Sequence, residues 1–273
     1  MLFTKNDLNV LVFNHVVLYY SAMKNAELDE IFASIQGEGP WIGQRQIFVR
    51  FLGCDLRCKY CDTPAARIAQ PDNVKQSSCR YYGKAGSMDF ERAPNPLSAS
   101  ELTSWCAKLA VPGLSRPVLS LTGGEPLLQT EFLKAWLPQV KNSYRIYLET
   151  CGVHYEAMKK IIDLVDVVSM DFKLPSATGL RPFWDEHRKF LSLSLGKSLY
   201  VKAVVTGDTT VEDVATAARL IAGLDRSILF VLQPASGPLA PGPDTLVMFQ
   251  ELALGLIEDV RVIPQAHKML KVM

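Results

Sequence analysis

Seven short apolar, β-branched runs alternate with longer stretches of helical spacing, and this alternation leaves the chain few architectures. The runs cover residues 46–52, 117–121, 145–149, 167–171, 199–205, 228–233 and 260–264. Each has the length of a buried strand. Residues 98–109, 131–140, 155–164, 211–222 and 244–257 instead space their apolar residues as an amphipathic helix does, and 184–195 does so more weakly. Ser98 and Glu101 have capping-box spacing at the start of the first of these. Parallel strands joined by right-handed helical crossovers account for such an order. The expected fold is α/β, with its functional site at the carboxyl ends of parallel strands.

The residues at the ends of six of these strands support that placement. They read Gly53-Cys54, Thr122-Gly123-Gly124-Glu125-Pro126, Glu149-Thr150-Cys151-Gly152, Asp171-Phe172-Lys173, Gln233-Pro234 and Gln265-Ala266-His267-Lys268. Polar and glycine-rich residues collect at one end of these six strands, as they do when many loops build one site. Residues 64–97 break the alternation and read as a long, partly irregular insertion. The apolar stretch 8–23 is interrupted by Asn14 and His15 and is short for a membrane span. Residues 1–22 are expected to be an extension outside the core, and 23–273 a single domain. Lys plus Arg number 29 against 28 for Asp plus Glu, so overall charge gives no reason to expect nucleic acid or an anionic membrane as partner.

Three of the six cysteines fall within eight residues, Cys54, Cys58 and Cys61. A chain of 273 residues can build a core without disulfide staples, so the cluster points to a metal site in a reducing, cytoplasmic compartment. Structural zinc asks for four ligands, and there is no second CxxC pair, although Cys79, Cys106 or Cys151 could complete one. A redox CxxC would leave Cys54 unexplained. An iron–sulfur cubane normally takes four thiolates. Held by three, it would keep one iron open for a small molecule.

CxxxCxxC after the first strand, with Tyr60 before the last cysteine and TGGEP after the next strand, resembles the radical S-adenosylmethionine superfamily. The longer run SIQGEGPWIGQRQIFVRFLGCDLRCKYCDTP, with LTGGEPLL, YLETCG, MDFKLP and PQAHK, resembles the 7-carboxy-7-deazaguanine synthase family from about Glu30 to the C-terminus. That resemblance implies an incomplete, modified (β/α) barrel. It implies a 4Fe–4S cluster on Cys54, Cys58 and Cys61, S-adenosylmethionine on the open iron, and Mg²⁺ with Thr63 as a ligand. Cleavage of the sulfonium would give a 5′-deoxyadenosyl radical. The radical would drive ring contraction of 6-carboxy-5,6,7,8-tetrahydropterin, a carbon–nitrogen lyase reaction of queuosine-type biosynthesis.

The resemblance places S-adenosylmethionine against Tyr60, Cys61, Asp62, Gly124, Asp171, Phe172, Lys173 and Gln233. Many relatives have Ser where this chain has Asp171. The pterin is placed against Ile35, Gln36, Gly37, Glu38, Arg50, Thr122, His267 and Met273. Residue chemistry agrees at three of these. Arg50 carries a planar fork suited to a carboxylate, and Glu38 with Gln36 suits a guanidine-like edge. A homodimer and an electron donor such as flavodoxin or ferredoxin are also implied, with no direct nucleic-acid partner. A radical activase of a partner protein would share CxxxCxxC and GGEP, but leaves QGEGP and Arg50 without a purpose.

Overall fold

The computed structural model describes residues 25–67 and 78–273, and the backbone of 9–13 and 16–20. Strands β1 (Asn9–Phe13) and β2 (Val16–Tyr20) pair antiparallel. The rest of the expected extension lies outside the described residues. A small antiparallel pair joins β3 (Asn25–Ala26) to residues Leu97–Ser98. The main sheet begins with β4 (Leu28–Ile35), β5 (Arg45–Phe51), β6 (Ser78–Tyr82) and β7 (Phe90–Pro94). With Leu97–Ser98 as β8, it continues through β9 (Val118–Gly123), β10 (Arg145–Thr150), β11 (Val167–Asp171), β12 (Ser198–Val205), β13 (Leu229–Pro234) and β14 (Val260–Val262).

Ten of these strands form one sheet in the order β14-β13-β12-β11-β10-β9-β5-β4-β6-β7. From β5 through β14 every pairing is parallel. Strand β4 runs antiparallel to β5, and the hairpin β6–β7 extends that edge. Among the described residues β14 and β7 are not paired to each other, so the sheet is an open α/β one, as an incomplete barrel requires. The insertion at 64–97 is more regular than its composition suggests. Its 78–94 part is a hairpin with Arg80 opposite Arg92 and Cys79 opposite Ala93.

Strand alternation sorts side chains between two faces. Leu119, Leu121, Ile146, Leu148, Val168, Met170, Val201, Ala203, Phe230 and Leu232 meet the helices in the main core. The helix residues that join them include Leu102, Phe132, Trp136, Phe190 and Val214. Each large side chain so buried contributes roughly 1.5–3 kcal/mol. The helix Ala99–Leu109 starts with the expected capping box. Ser98 Oγ accepts from the Glu101 N–H at 3.3 Å, and the Glu101 carboxylate accepts from the Ser98 N–H at 2.8 Å.

On the opposite face Val118, Tyr147, Val167, Tyr200 and Val231 form a separate apolar layer at the amino ends of the strands. Further along the same strands, that face carries Thr122, Glu149, Ser169, Asp171, Lys202 and Gln233. These line a cavity of about 720 Å³. The apolar layer closes one end of the sheet's inner face, and polar groups line the other.

Candidate active site

The cavity gathers the sequence-predicted residues from loops far apart in the chain. It is lined by Cys54, Cys58, Cys61 and Thr63, by Tyr60, Asp62, Gly124, Asp171, Lys173 and Gln233, and by Ile35, Gln36, Gly37, Glu38, Arg50, Thr122, His267 and Met273. Phe172 is the exception. It is fully buried in the main core, with its N–H bonded to the Lys202 carbonyl at 2.7 Å, and does not line the cavity.

The cysteine loop is fixed by the turn after β9. Gly123 has φ +139°, and a Cβ there would lie 2.3 Å from the Phe51 carbonyl oxygen. A Cβ on Gly124 would lie 2.1 Å from that of Gly53. Only glycine lets the two backbones meet this closely. They are bonded by Gly124 N–H to the Phe51 carbonyl at 3.0 Å and Glu125 N–H to the Gly53 carbonyl at 2.7 Å.

Glu125, absent from the expected site, is wholly buried. Its carboxylate accepts from Leu127 N–H at 3.1 Å, Thr150 Oγ1 at 2.8 Å and Cys151 N–H at 2.8 Å. The acid of GGEP therefore ties the β9 turn to the β10 turn, and the glycine backbone faces the cavity.

Burial pushes the Cys54 thiol up to about 12 and raises that of Cys58. Both would need a bound cation to ionise at neutral pH. No three His, Cys, Asp or Glu side chains among the described residues converge on one point as a single ion demands. A cubane offers a separate iron at each corner, so the three cysteines suit a cluster better than structural zinc.

The neighbouring wall has unmet acceptors. Asp171 Oδ1 and Gln233 Oε1 are buried without partners, as a ligand rich in N–H or O–H donors would require. Asp171 Oδ2 is held by Lys173 Nζ at 2.9 Å, and that ammonium lies 5.5 Å from the centre of the Tyr60 ring. His187, also absent from the expected site, stacks on Phe172 with ring centres 4.6 Å apart. Its Nδ1 bonds the Gly152 carbonyl at 3.0 Å and its Nε2 accepts from Lys173 N–H at 3.0 Å. Burial drives its pKa down to about 4, so the ring is neutral and carries its proton on Nδ1.

The other half of the cavity is built on a row of facing residues. Thr122 stands opposite Arg50, Arg50 opposite Glu30, and Glu30 opposite Arg80. Arg50 Nε donates to Glu30 at 3.0 Å, and Arg80 pairs with the other Glu30 oxygen. Since Glu30 takes only Nε, the two terminal nitrogens of Arg50 remain for a ligand.

Thr122 donates to Glu149 at 2.7 Å, and Gln36 Nε2 donates to the other Glu149 oxygen at 2.9 Å. Gln36 Oε1 accepts from Glu38 N–H at 3.0 Å, so this side chain also shapes the 36–38 turn. Burial would raise the Glu38 carboxyl, but the Lys202 ammonium 2.5 Å away outweighs it and holds the group down to about 2. Gln265 donates to Glu38 and to Asp62, each at 2.9 Å. His267 packs on Gly37, where a Cβ would lie 2.3 Å from its Nδ1.

A sheet of this topology, with three cysteines and a glycine turn at one end of its cavity, defines a class. Residues 48–193 match the radical SAM superfamily, and the chain belongs to it. Within that class it belongs to the 7-carboxy-7-deazaguanine synthase family. It is 41% identical over 250 residues to the 7-carboxy-7-deazaguanine synthase of Geobacter sulfurreducens, covering 89% of this chain and 96% of the relative. It is 34% identical to that of Methanopyrus kandleri, covering 88% and 91%. The crystal structure of QueE from Escherichia coli has the same fold, with a TM-score of 0.55 at 21% identity over 88% of this chain and 94% of that one. Membership of the superfamily implies a 4Fe–4S cluster and S-adenosylmethionine.

Proposed function

We infer that this chain is an enzyme that converts 6-carboxy-5,6,7,8-tetrahydropterin to 7-carboxy-7-deazaguanine and ammonia. It would act as a lyase of 7-deazapurine biosynthesis. The observation that carries this reading is the division of one cavity into a three-cysteine end and an end lined by the Glu38 carboxylate and by the terminal nitrogens of Arg50. When bound, the cluster and S-adenosylmethionine supply the radical chemistry.

This chain's residues would bind and orient. Glu38, ionised across the physiological range, accepts N–H bonds from the pterin's guanidine-like edge, beside the backbone of Ile35 and Gly37. Arg50 takes the substrate carboxylate on its terminal nitrogens, with Glu30 fixing the plane of the fork. The bonded pair Thr122 and Glu149 lines the wall beside the ring, and His267 and Met273 close the C-terminal side. Asp171 Oδ1 and Gln233 Oε1 receive donors from the nucleoside end of S-adenosylmethionine, with Tyr60, Asp62, Gly124 and Lys173 around it.

Mg²⁺ would use the Thr63 hydroxyl, which lies 3.9 Å from Cys61 Sγ, together with oxygens of the substrate and water. Residues 23–273 would form the catalytic domain. A homodimer reduced by a flavodoxin or ferredoxin in the cytoplasm completes the proposal. Among the described residues no helix is long and apolar enough to cross a membrane.

The test is an anaerobic assay of the reconstituted protein with S-adenosylmethionine, reductant, Mg²⁺ and the pterin, with Cys58→Ala as control. Mass spectrometry should detect 7-carboxy-7-deazaguanine from the wild type alone. Cluster-dependent release of 5′-deoxyadenosine without that product would reject this substrate.

A further inference from the structure

Lys202 is a cation at the centre of the apolar strand β12, where the parity of Tyr200 and Val204 turns it into the cavity. Only 10% of its side chain is exposed. Its Nζ lies 2.5 Å from Glu38 Oε2 and 3.7 Å from Asp171 Oδ2, and its Cα stands opposite Asp171 in the sheet register. Those two carboxylates belong to different halves of the cavity. Glu38 faces the substrate end. Asp171 keeps its buried Oδ1 unpartnered at the cofactor end.

We propose that Lys202 is a positioning residue that couples the two halves, one ammonium ordering the Glu38 and Asp171 carboxylates together. The proposal rests on the assignment of the halves made above. The ammonium donates to Glu38 and stands in ion-pair range of Asp171 Oδ2, which Lys173 Nζ also holds at 2.9 Å. Each keeps an oxygen directed elsewhere: Glu38 Oε1 toward Gln265, and Asp171 Oδ1 unpartnered. A ligand that fixes one carboxylate thereby fixes the ammonium, and through it the other. Such coupling is reciprocal, so each ligand tightens the binding of its partner by the same factor.

The experiment measures equilibrium binding to cluster-loaded protein without reductant, so that no turnover occurs. S-adenosylmethionine is titrated with and without the pterin, and the pterin with and without S-adenosylmethionine. Wild type, K202M, E38Q and the double variant E38Q/K202M are compared, with thermal unfolding as the check on folding. Wild type should show mutual tightening. K202M should lose it and bind each ligand about ten- to a hundredfold more weakly, as loss of a buried charge-assisted bond predicts. E38Q should weaken the pterin alone, because the Lys202 charge still faces Asp171.

The double variant removes both charges of the close pair and should unfold near wild type if K202M does not. It should bind S-adenosylmethionine as weakly as K202M. Wild-type affinity for S-adenosylmethionine in a folded K202M or double variant, or mutual tightening that survives in either, would overturn the proposal. Absence of mutual tightening in a wild type that binds both ligands would also overturn it. A wild type that binds S-adenosylmethionine but no pterin would reject the substrate reading instead.

Discussion

Glu125→Gln separates two roles for the acid of GGEP, an internal anchor or a ligand for the cofactor. Its carboxylate collects three donors, Leu127 N–H and Thr150 Oγ1 on one oxygen and Cys151 N–H on the other. Glutamine can keep the first oxygen as an acceptor. Its amide nitrogen then faces the Cys151 N–H, so donor meets donor. Loss of that charge-assisted bond, with a buried N–H left unpaired, costs about 2–4 kcal/mol. In a domain of this size that lowers the melting temperature by about 5–12 °C. Glu125→Ala strands all three donors and should cost about 4–6 kcal/mol.

The measurement is thermal and denaturant unfolding of protein without its cluster, so that no ligand contributes. An anchor predicts Ala below Gln below wild type in the absence of any ligand. If Glu125→Gln were as stable as wild type but bound S-adenosylmethionine far more weakly, the carboxylate would be a ligand and the anchoring argument would fail.

Arg50→Lys keeps the charge and loses the fork. KM for the pterin should rise about tenfold or more while the affinity for S-adenosylmethionine holds; equal losses in both would place Arg50 elsewhere. Gly124→Ala puts a Cβ 2.1 Å from the Gly53 carbonyl oxygen, so the cysteine loop must shift, whereas Gly207→Ala meets nothing closer than 3.9 Å. Iron content after reconstitution should fall in the first and hold in the second, and equal iron in both would refute the close-approach argument. Burial lowers the His187 pKa from 6.5 to about 4. The unfolded chain then binds the extra proton between those values, so this group's stability is complete above about pH 6.5. As pH falls toward 4 about 3 kcal/mol is lost. His187→Gln should flatten that part of the stability curve, and an unchanged slope would remove His187 as its source.

What the sequence disclosed, and what it hid, follows from how the sheet is built. Parallel strands covered by helices are continuous apolar runs, so β5 and β9 to β14 were legible to within one or two residues. Strand β4 was not, because Asp29 and Glu30 interrupt Leu28–Ile35 and no helical crossover announces a strand that returns antiparallel. The hairpin strands β6 and β7, with Arg80 and Arg92 among few apolar residues, lie at the sheet edge and need little hydrophobic signal. Both omissions concealed Glu30 and Arg80, which complete the Arg50 row.

Lys202 could have been found. A charge inside LYVKAVV must either sit at an edge or point into a polar space, and β12 lies between two neighbours. Its partner could not have been found. Glu38 lies 164 residues away and reaches it only because β4 and β12 curve around one cavity. Alternation along a strand reveals that a buried charge faces inward. The carboxylate that answers it is chosen by sheet order and closure, which no local pattern encodes. The cavity residues found by motif lie in and beside the short loops at the carboxyl ends of the strands. What Glu125 and His187 hold in place became visible only with the fold.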